Sequence, residues 1–314
     1  MTRVLITGAG GFVGQKLCSA LKDAGFTIVP VYRTCQPGLI NGFHNVIVGK
    51  SIDATTDWTG EFADVDVVVH LAAKVHVMNG DESNDLASFR GVNVEGTRNL
   101  AKQAAQFGVK RFVYLSSIKV NGERSNENPF VADQAPKPED FYATSKMEAE
   151  IALREIEKET GMEAVIIRPP LVYGPGVKGN LAALTRMIKR GIPLPLGALT
   201  NRRDFVSIYN LTDLIRICCL HPAAAGRIFL VSDDESISTV ELIRYMSKGL
   251  ERKARLFFVP IWALKLAAGL FGNTVKVEKL IGSLQIDMSA TQKILDWKPP
   301  LTVAESFRKM FVEE

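Results

Sequence analysis

Tyr142 and Lys146 stand four residues apart in Tyr142-Ala-Thr-Ser-Lys146, a spacing that puts a phenol and an ammonium on one face of a helix. A nearby ammonium favours the phenolate. The pair therefore predicts a tyrosine of lowered pKa that exchanges a proton with a substrate hydroxyl or carbonyl oxygen. Such pairs are also common on solvated helices, so the neighbourhood has to decide. Ser117 follows the apolar run Phe112 to Leu115 and precedes Tyr142 by 25 residues. A second constellation opens the chain. Gly8-Ala-Gly-Gly11-Phe12-Val13-Gly14 lies between the β-branched run Val4-Leu5-Ile6-Thr7 and a helical period through Leu17, Leu21 and Ala24. Gly8 permits a tight turn, Gly11 lets the backbone approach a pyrophosphate, and Gly14 lets helix and strand pack closely. The helix N-terminal amides would then hold the phosphates.

The elements that must position these residues alternate. After the first strand and helix, Gly25 stops the helix and Thr27 to Val31 reads as the next strand. Further apolar strands are expected at Asn45 to Val48, Val67 to Leu71, Phe112 to Leu115 and Ala164 to Ile167. Helical patterns separate most of them, notably Leu86 to Phe107 and Tyr142 to Glu159. This is the pattern of an α/β fold, a Rossmann doubly wound parallel sheet. After Arg168-Pro169-Pro170 the rhythm changes to Pro- and Gly-rich turns and helices near Leu181 to Lys189, Leu211 to Leu220, Thr239 to Leu250 and Val303 to Phe311. We expect an NAD(P)-binding domain over residues 1–170, to which about 203–230 returns, and a smaller, mostly helical substrate lobe over 171–314.

Composition limits the functions. The 314 residues are 46% hydrophobic and 23% charged, ordinary for a soluble globular protein. Lys and Arg number 38 against 34 Asp and Glu, a net +4 without a basic stripe, so nucleic acid is not expected as a partner. The N-terminus lacks the pattern of a secretory signal, which points to the cytoplasm. The most apolar stretch, Leu256 to Gly272, carries Pro260 and Lys265 and falls short of the ~20 residues that span a bilayer; it reads as a buried helix closing the substrate lobe. Cys18, Cys35 and the adjacent Cys218-Cys219 form neither a disulfide framework nor a zinc pattern. His44, His70, His76 and His221 share no ligand spacing, so no metal is expected. His76 reads as a loop histidine near where a nicotinamide would sit.

An NAD site would offer Asp or Glu at the end of the second strand for the ribose hydroxyls. This chain offers Val31-Tyr32-Arg33-Thr34 and no acid from Gly25 until Asp53. Arg33 and Thr34 could donate to a phosphate, which favours NADP(H), with NAD(H) possible. The alternative is that Arg33 stacks on adenine or is solvated.

Taken together, the glycine pattern, Ser117 and the Tyr142/Lys146 helix resemble the extended short-chain dehydrogenase/reductase family of nucleotide-sugar epimerases, dehydratases and reductases. The resemblance continues through His70-Leu71-Ala72-Ala73, Asn93-Val94-Glu95-Gly96-Thr97, Arg168 to Pro175, Arg203-Asp204-Phe205-Val206 and Leu295 to Pro299. It implies that Tyr142 is the proton donor or acceptor, that Lys146 tunes it and holds the nicotinamide ribose, and that Ser117 hydrogen-bonds the reacting oxygen. Asn93 would support the active-site helix. The cofactor would also meet Phe12, Val13, Leu71, Ala72, Ala73 and Pro169, while Asn180 and Arg203 would bind the substrate diphosphate, a fit for a guanidinium. A surface ion pair with Asp204 is the other reading of Arg203. The family also implies a homodimer through the Leu86 to Phe107 and Tyr142 to Glu159 helices.

Residues after Ser117 narrow the reaction. Dehydratases of the family look like Thr-Asp-Glu here, whereas this chain has Ser117-Ile118-Lys119; Ile118 also cannot abstract a carbon-bound proton as a cysteine can. Simple hydride transfer remains, as net reduction or 4-epimerisation. Arg33 favours reduction, and Ser116 to Glu123 with Asn201-Arg202-Arg203 looks most like bacterial reductases of UDP-4-keto-6-deoxy-N-acetylglucosamine, which serve surface polysaccharide (lipopolysaccharide) synthesis. The alternative is a UDP-glucose or UDP-N-acetylglucosamine 4-epimerase with retained NAD. Lys119 meets the sugar or points to solvent, and the polar segment Glu123 to Asp140 is a loop that could flank the sugar. A non-catalytic dinucleotide sensor would usually lack Tyr and Lys, and a steroid ketone reductase would have no use for Arg203 and Asn180.

Overall fold

In the computed structural model the described residues are all of 1–314 except 35–37, 39–41, 76–84, 126–127, 271–277, 279 and 313–314, so Cys35 and His76 lie outside them. Seven parallel strands form the main sheet: β1 (Arg3–Thr7), β2 (Thr27–Tyr32), β3 (Ile47–Val48), β4 (Val67–His70), β5 (Arg111–Leu115), β6 (Glu163–Arg168) and β9 (Ile228–Leu230). Their order is β3-β2-β1-β4-β5-β6-β9. The central strands are apolar on both faces, as they must be with helices covering each side: Val4, Leu5, Ile6, Val68, Val69, Phe112 and Ile166 are fully buried. The strand order reverses between β1 and β4, which leaves a crevice beyond their carboxyl ends, the usual ligand position of such a sheet. The glycine turn, Leu71 to Ala73 and Ser116-Ser117 all follow strands that end there.

Helix α1 (Phe12–Asp23) connects β1 to β2. The expected helix from Leu86 to Phe107 is three pieces, α2 (Leu86–Arg90), a π-helical turn (Gly91–Gly96) and α3 (Thr97–Gln106). The turn brings Gly96 against the backbone of residue 52, where a Cβ would lie 2.7 Å from the Ile52 carbonyl carbon. No periodicity signals such a bulge. Helix α4 (Phe141–Thr160) begins at Asp140, whose carboxylate accepts from Ala143 N at 2.7 Å, and ends at Gly161 in the left-handed region (φ 78°).

Beyond Pro170 the chain forms β7 (Leu171–Tyr173), α5 (Gly179–Lys189), β8 (Phe205–Ser207), α6 (Ile208–Leu220), β9, α7 (Thr239–Gly249), α8 (Ile261–Leu270), α9 (Ser289–Leu295) and α10 (Val303–Val312). β9 extends the main sheet beside β6, while β7 and β8 make a separate parallel pair. These three strands have three residues each, too short to show a period of two. A separate core joins Leu181, Leu194, Phe205, Leu242, Met246 and Phe307. Asp233 ties the regions: it accepts from Tyr173 Oη at 2.7 Å, Ser207 N at 2.8 Å and Asn210 Nδ2 at 2.7 Å, and burial pushes its carboxyl up to about 6.

The stretch Leu256 to Gly272 departs from expectation. Pro260 does not interrupt the helix but starts it, its carbonyl accepting from Ala263 N and Leu264 N. Phe258, Trp262 and Leu266 are exposed, not buried. No helix among the described residues is long and apolar enough to cross a membrane. Cys18 and Cys219 are buried thiols whose pKa burial pushes up to about 12, which leaves them unreactive.

Candidate active site

The glycine turn is built from backbone. Gly8 has φ +70°, and a Cβ there would stand 2.8 Å from Ala72 N; at Gly14 a Cβ would lie 2.1 Å from the Gly8 carbonyl oxygen. Gly11 donates its N–H to that oxygen at 2.9 Å and caps α1. The turn thus presses against Leu71 and Ala72 on the neighbouring loop and leads into the α1 N-terminus, where Val13 packs against the core and the Phe12 ring lies beside Gly174. A cradle in which a side chain would have no room, capped by free helix amides, fits a dinucleotide pyrophosphate. Arg33 and Thr34 are exposed just past β2, level with Ala9 by the β1–β2 register.

Behind the turn His70 is fully buried, its Nδ1 2.6 Å from Thr7 Oγ1 and its Nε2 3.0 Å from Thr97 Oγ1. Burial, aided by the Lys146 charge, lowers its pKa to about 3, so it is a neutral strut between strand ends. Among the described residues no cluster could hold a metal.

Ser117 lies two residues past β5, and Tyr142 and Lys146 lie in the first two turns of α4. Lys146 is buried, donates to Leu115 O at 2.8 Å and stands 4.4 Å over the Tyr114 ring and 6.0 Å over that of Tyr142. Burial lowers its pKa to about 7, partly offset by Glu150. The expected lowering of the Tyr142 pKa is not found. Loss of water, then the Asp140 carboxylate, hold the phenol above its ordinary value, because a lysine at this distance and committed to a carbonyl does not outweigh them. Ser117 caps the short helical turn Ile118–Val120, its Oγ accepting from Lys119 N at 3.3 Å. Pro169 fixes that turn, its carbonyl accepting from Ile118 N at 2.9 Å.

Asn93 braces α4. Its Nδ2 donates to Ser145 Oγ at 2.9 Å and to Lys74 O at 3.0 Å, its Oδ1 accepts from Lys74 N at 2.7 Å, and Ser145 Oγ donates to Tyr142 O at 2.8 Å. Lys74 follows Ala73, so one amide joins the loop after β4 to α4.

Lys119 is partly exposed and paired with two carboxylates. Its Nζ lies 2.7 Å from both Glu123 Oε1 and Asp140 Oδ2. Burial opposes the charge, but those two hydrogen bonds outweigh it and hold the pKa above the ordinary lysine value. The ammonium thereby ties the turn carrying Ser117 to the cap of the helix carrying Tyr142.

Sequence reasoning missed a buried network beneath the same turn. Arg168 and Glu150 pair at 2.5 Å; Glu150 also accepts from Ser116 Oγ at 2.5 Å, and Arg168 donates to Asn121 Oδ1 at 2.9 Å. Glu150 lies one turn beyond Lys146 on α4, and that spacing was its only visible signal.

The substrate expectations are placed apart. Arg203 donates to Gly282 O at 3.0 Å, is half-buried and faces Glu123 and Arg124; burial lowers its pKa. It makes no pair with Asp204, which instead accepts from Ser236 Oγ at 2.5 Å and Ile286 N at 2.6 Å. Asn180 is exposed at the start of α5 and lines a cavity of about 520 Å³ with Arg186 and Met310. A larger cavity of about 1260 Å³ is lined by Glu123, Phe130, Gln134, Asp140 and Glu278, so the polar loop borders open space beside the helix cap. Neither cavity lining includes Ser117 or Arg203.

Residues 4–232 match the model of the NAD dependent epimerase/dehydratase family. The chain is 46% identical to a UDP-glucose 4-epimerase of Vibrio cholerae over 98% of its own length and 93% of the relative's. Among solved structures it resembles a UDP-N-acetylglucosamine 4-epimerase from Bacillus cereus (TM-score 0.81, 20% identity, 100% and 99% of the two chains covered). It also resembles a UDP-glucuronic acid 4-epimerase from Bacillus cereus in complex with NAD (TM-score 0.79, 21% identity, 99% and 98% covered).

Proposed function

Because the chain belongs to the NAD dependent epimerase/dehydratase family, we propose that it is a UDP-hexose 4-epimerase that oxidises and re-reduces a single carbinol centre with retained NAD. The observation that carries this reading is the set Ser117, Tyr142 and Lys146 without a carbon acid–base partner beside Ser117. Ile118 is buried and Lys119 is held by two carboxylates, so this turn offers no group to take a proton from carbon. The V. cholerae relative's name supports the 4-epimerase over the reductase that Arg33 had favoured.

The residues suited to NAD are the Gly8 to Gly14 turn, the α1 amides, Ala72 and Ala73, with Lys146 toward the nicotinamide ribose. Bound NAD would supply a hydride acceptor and donor and a positive ring that favours ionisation of a nearby phenol. Tyr142 exchanges a proton at the substrate hydroxyl oxygen, and Ser117 Oγ holds that oxygen by hydrogen bonding. Lys146, with a pKa of about 7, can gain or release a proton near neutrality, and its ammonium form favours the Tyr142 phenolate. Arg203 and Asn180 are assigned to the diphosphate, whose oxygens a guanidinium and an amide can hydrogen-bond. The family's dimer would pack the α3 and α4 faces of two copies, where Ile151 is exposed.

A second reading rests on Arg33: with a guanidinium where an acid would meet the ribose, net reduction of a 4-keto sugar by NADPH is the rival. One assay separates them. The protein incubated with UDP-glucose or UDP-N-acetylglucosamine should form the galacto product without net change in nicotinamide absorbance. No conversion, together with stoichiometric NADPH consumption on a UDP-4-keto-6-deoxy sugar, would overturn the epimerase in favour of the reductase.

A further inference from the structure

Five large apolar side chains are exposed within one short stretch of the C-terminal lobe: Phe257, Phe258, Ile261, Trp262 and Leu266. Phe258, Trp262 and Leu266 are 72%, 70% and 61% exposed; Trp262 and Leu266, four apart, share one face of α8, and Phe258 precedes it at the entry. The extended entry to α8 is held by backbone hydrogen bonds. Leu194 N donates to Arg255 O at 2.8 Å, Phe257 N to Leu194 O at 3.1 Å and Gly197 N to Phe257 O at 3.0 Å. The approach is so close that a Cβ on Gly197 would stand 2.9 Å from Phe257 O.

The charged residues along this stretch are mostly cationic. Arg252, Lys253, Arg255 and Lys265 are exposed, and Glu251 is the only acid from 251 to 270. An apolar stretch of this kind is uncommon on a free surface, and a basic margin beside it matches the two signals that hold a protein on an anionic bilayer. The ten described residues of α8 extend about 15 Å, long enough to lie in the interface. A second copy fits less well, because a two-fold contact would bring the same four cations together with only Glu251 to offset them.

We propose that this face seats the protein on an anionic phospholipid surface, with Phe258, Trp262 and Leu266 entering the acyl boundary and Arg252, Lys253 and Arg255 meeting the lipid phosphates. The inference is independent of the reaction assigned above. Trp58 and Trp297 are buried, so Trp262 is a built-in reporter of the contact.

The test is flotation of the full chain with vesicles of phosphatidylcholine alone or mixed with phosphatidylglycerol, together with tryptophan emission. The protein should float with the anionic vesicles, lose binding at high salt, and show a blue-shifted emission quenched by brominated lipid. Arg252→Glu, Lys253→Glu and Arg255→Glu combined should weaken partition by about a hundred-fold or more. Trp262→Gln with Leu266→Gln should weaken it by about ten-fold or more while the melting temperature stays unchanged. Protein left behind by anionic vesicles at low salt, or flotation that survives both sets of substitutions, overturns the proposal. Light scattering that shows Trp262→Gln splitting a dimer also overturns it, assigning the face to a contact between copies.

Discussion

At the end of β1 the backbone itself shapes the crevice, whereas at the end of β5 side chains hold the backbone in place. The first side needs three glycines and two neighbouring loops; its contacts are a carbonyl oxygen, an amide and the room where no Cβ exists. The second side needs Lys119 between Glu123 and Asp140, Glu150 between Ser116 and Arg168, and Asn93 between Lys74 and Ser145. A site that grips a phosphate chain can be rigid backbone. A site that moves a proton depends on charges whose spacing sets pKa values. The contrast predicts different responses to damage on the two sides.

The largest effect is expected on the backbone side. Gly14→Ala puts a methyl group 2.1 Å from the Gly8 carbonyl oxygen, and since backbone cannot yield, stability should fall by about 4 kcal/mol or more. A thermal melt with no loss would show that the turn is adjustable. On the other side, Glu150→Ala leaves the buried Arg168 guanidinium without its carboxylate, a change that costs about 3–5 kcal/mol. Urea unfolding measures it, and a loss below about 1 kcal/mol would mean that water or another acid replaces the carboxylate.

A pH series sharpens the contrast. His70 has a folded pKa of about 3, below the unfolded value of about 6.5. As pH falls through that window the unfolded chain binds a proton that the folded one refuses, so stability falls with pH by up to about 1.4 kcal/mol per unit. Asp233, raised to about 6, acts in the opposite sense, gaining stability as pH falls from there, so the wild-type curve alone mixes the two. The stability difference between wild type and His70→Asn should therefore shrink as pH falls from 6 toward 4; a constant difference would contradict a neutral, proton-refusing His70. The smallest effect is expected for Lys119→Met. This partly exposed ammonium contributes about 1 kcal/mol or less to stability, but its loss leaves Asp140 unscreened beside Tyr142. The kcat should fall by about ten-fold with little change in KM, and the basic requirement of the pH profile should move to higher pH. A rise in KM alone would return Lys119 to the sugar.

The same contrast explains what could be read from the chain. Strands β1, β4, β5 and β6 and helices α1 and α4 are long apolar runs or periods, and Gly8 and Gly14 are forced by sterics that act within a few residues, so they left local marks. The bonded pairs among Glu150, Ser116, Arg168 and Asn121 are 18 to 47 residues apart along the chain, and no local pattern marks such partners. Lys119 shows the limit most clearly: its two carboxylates lie 4 and 21 residues away, and only folding reveals that it braces the helix cap. The Tyr142 pKa direction was misread for the same reason, since the spacing to Lys146 is visible in sequence while the desolvation and the Asp140 charge are not. The apolar run at α8 was read as buried because hydropathy records composition and not the side that faces water.

If Ser117 and Tyr142 act as proposed, the reacting carbon exchanges hydride with the cofactor and never a proton with solvent. UDP-glucose deuterated at C4, converted by the protein in ordinary water, should give UDP-galactose that keeps the deuterium at C4. Loss of the label to solvent would contradict the account, because it would require a base acting on carbon beside Ser117, where the structure places Ile118 and a lysine held by two carboxylates.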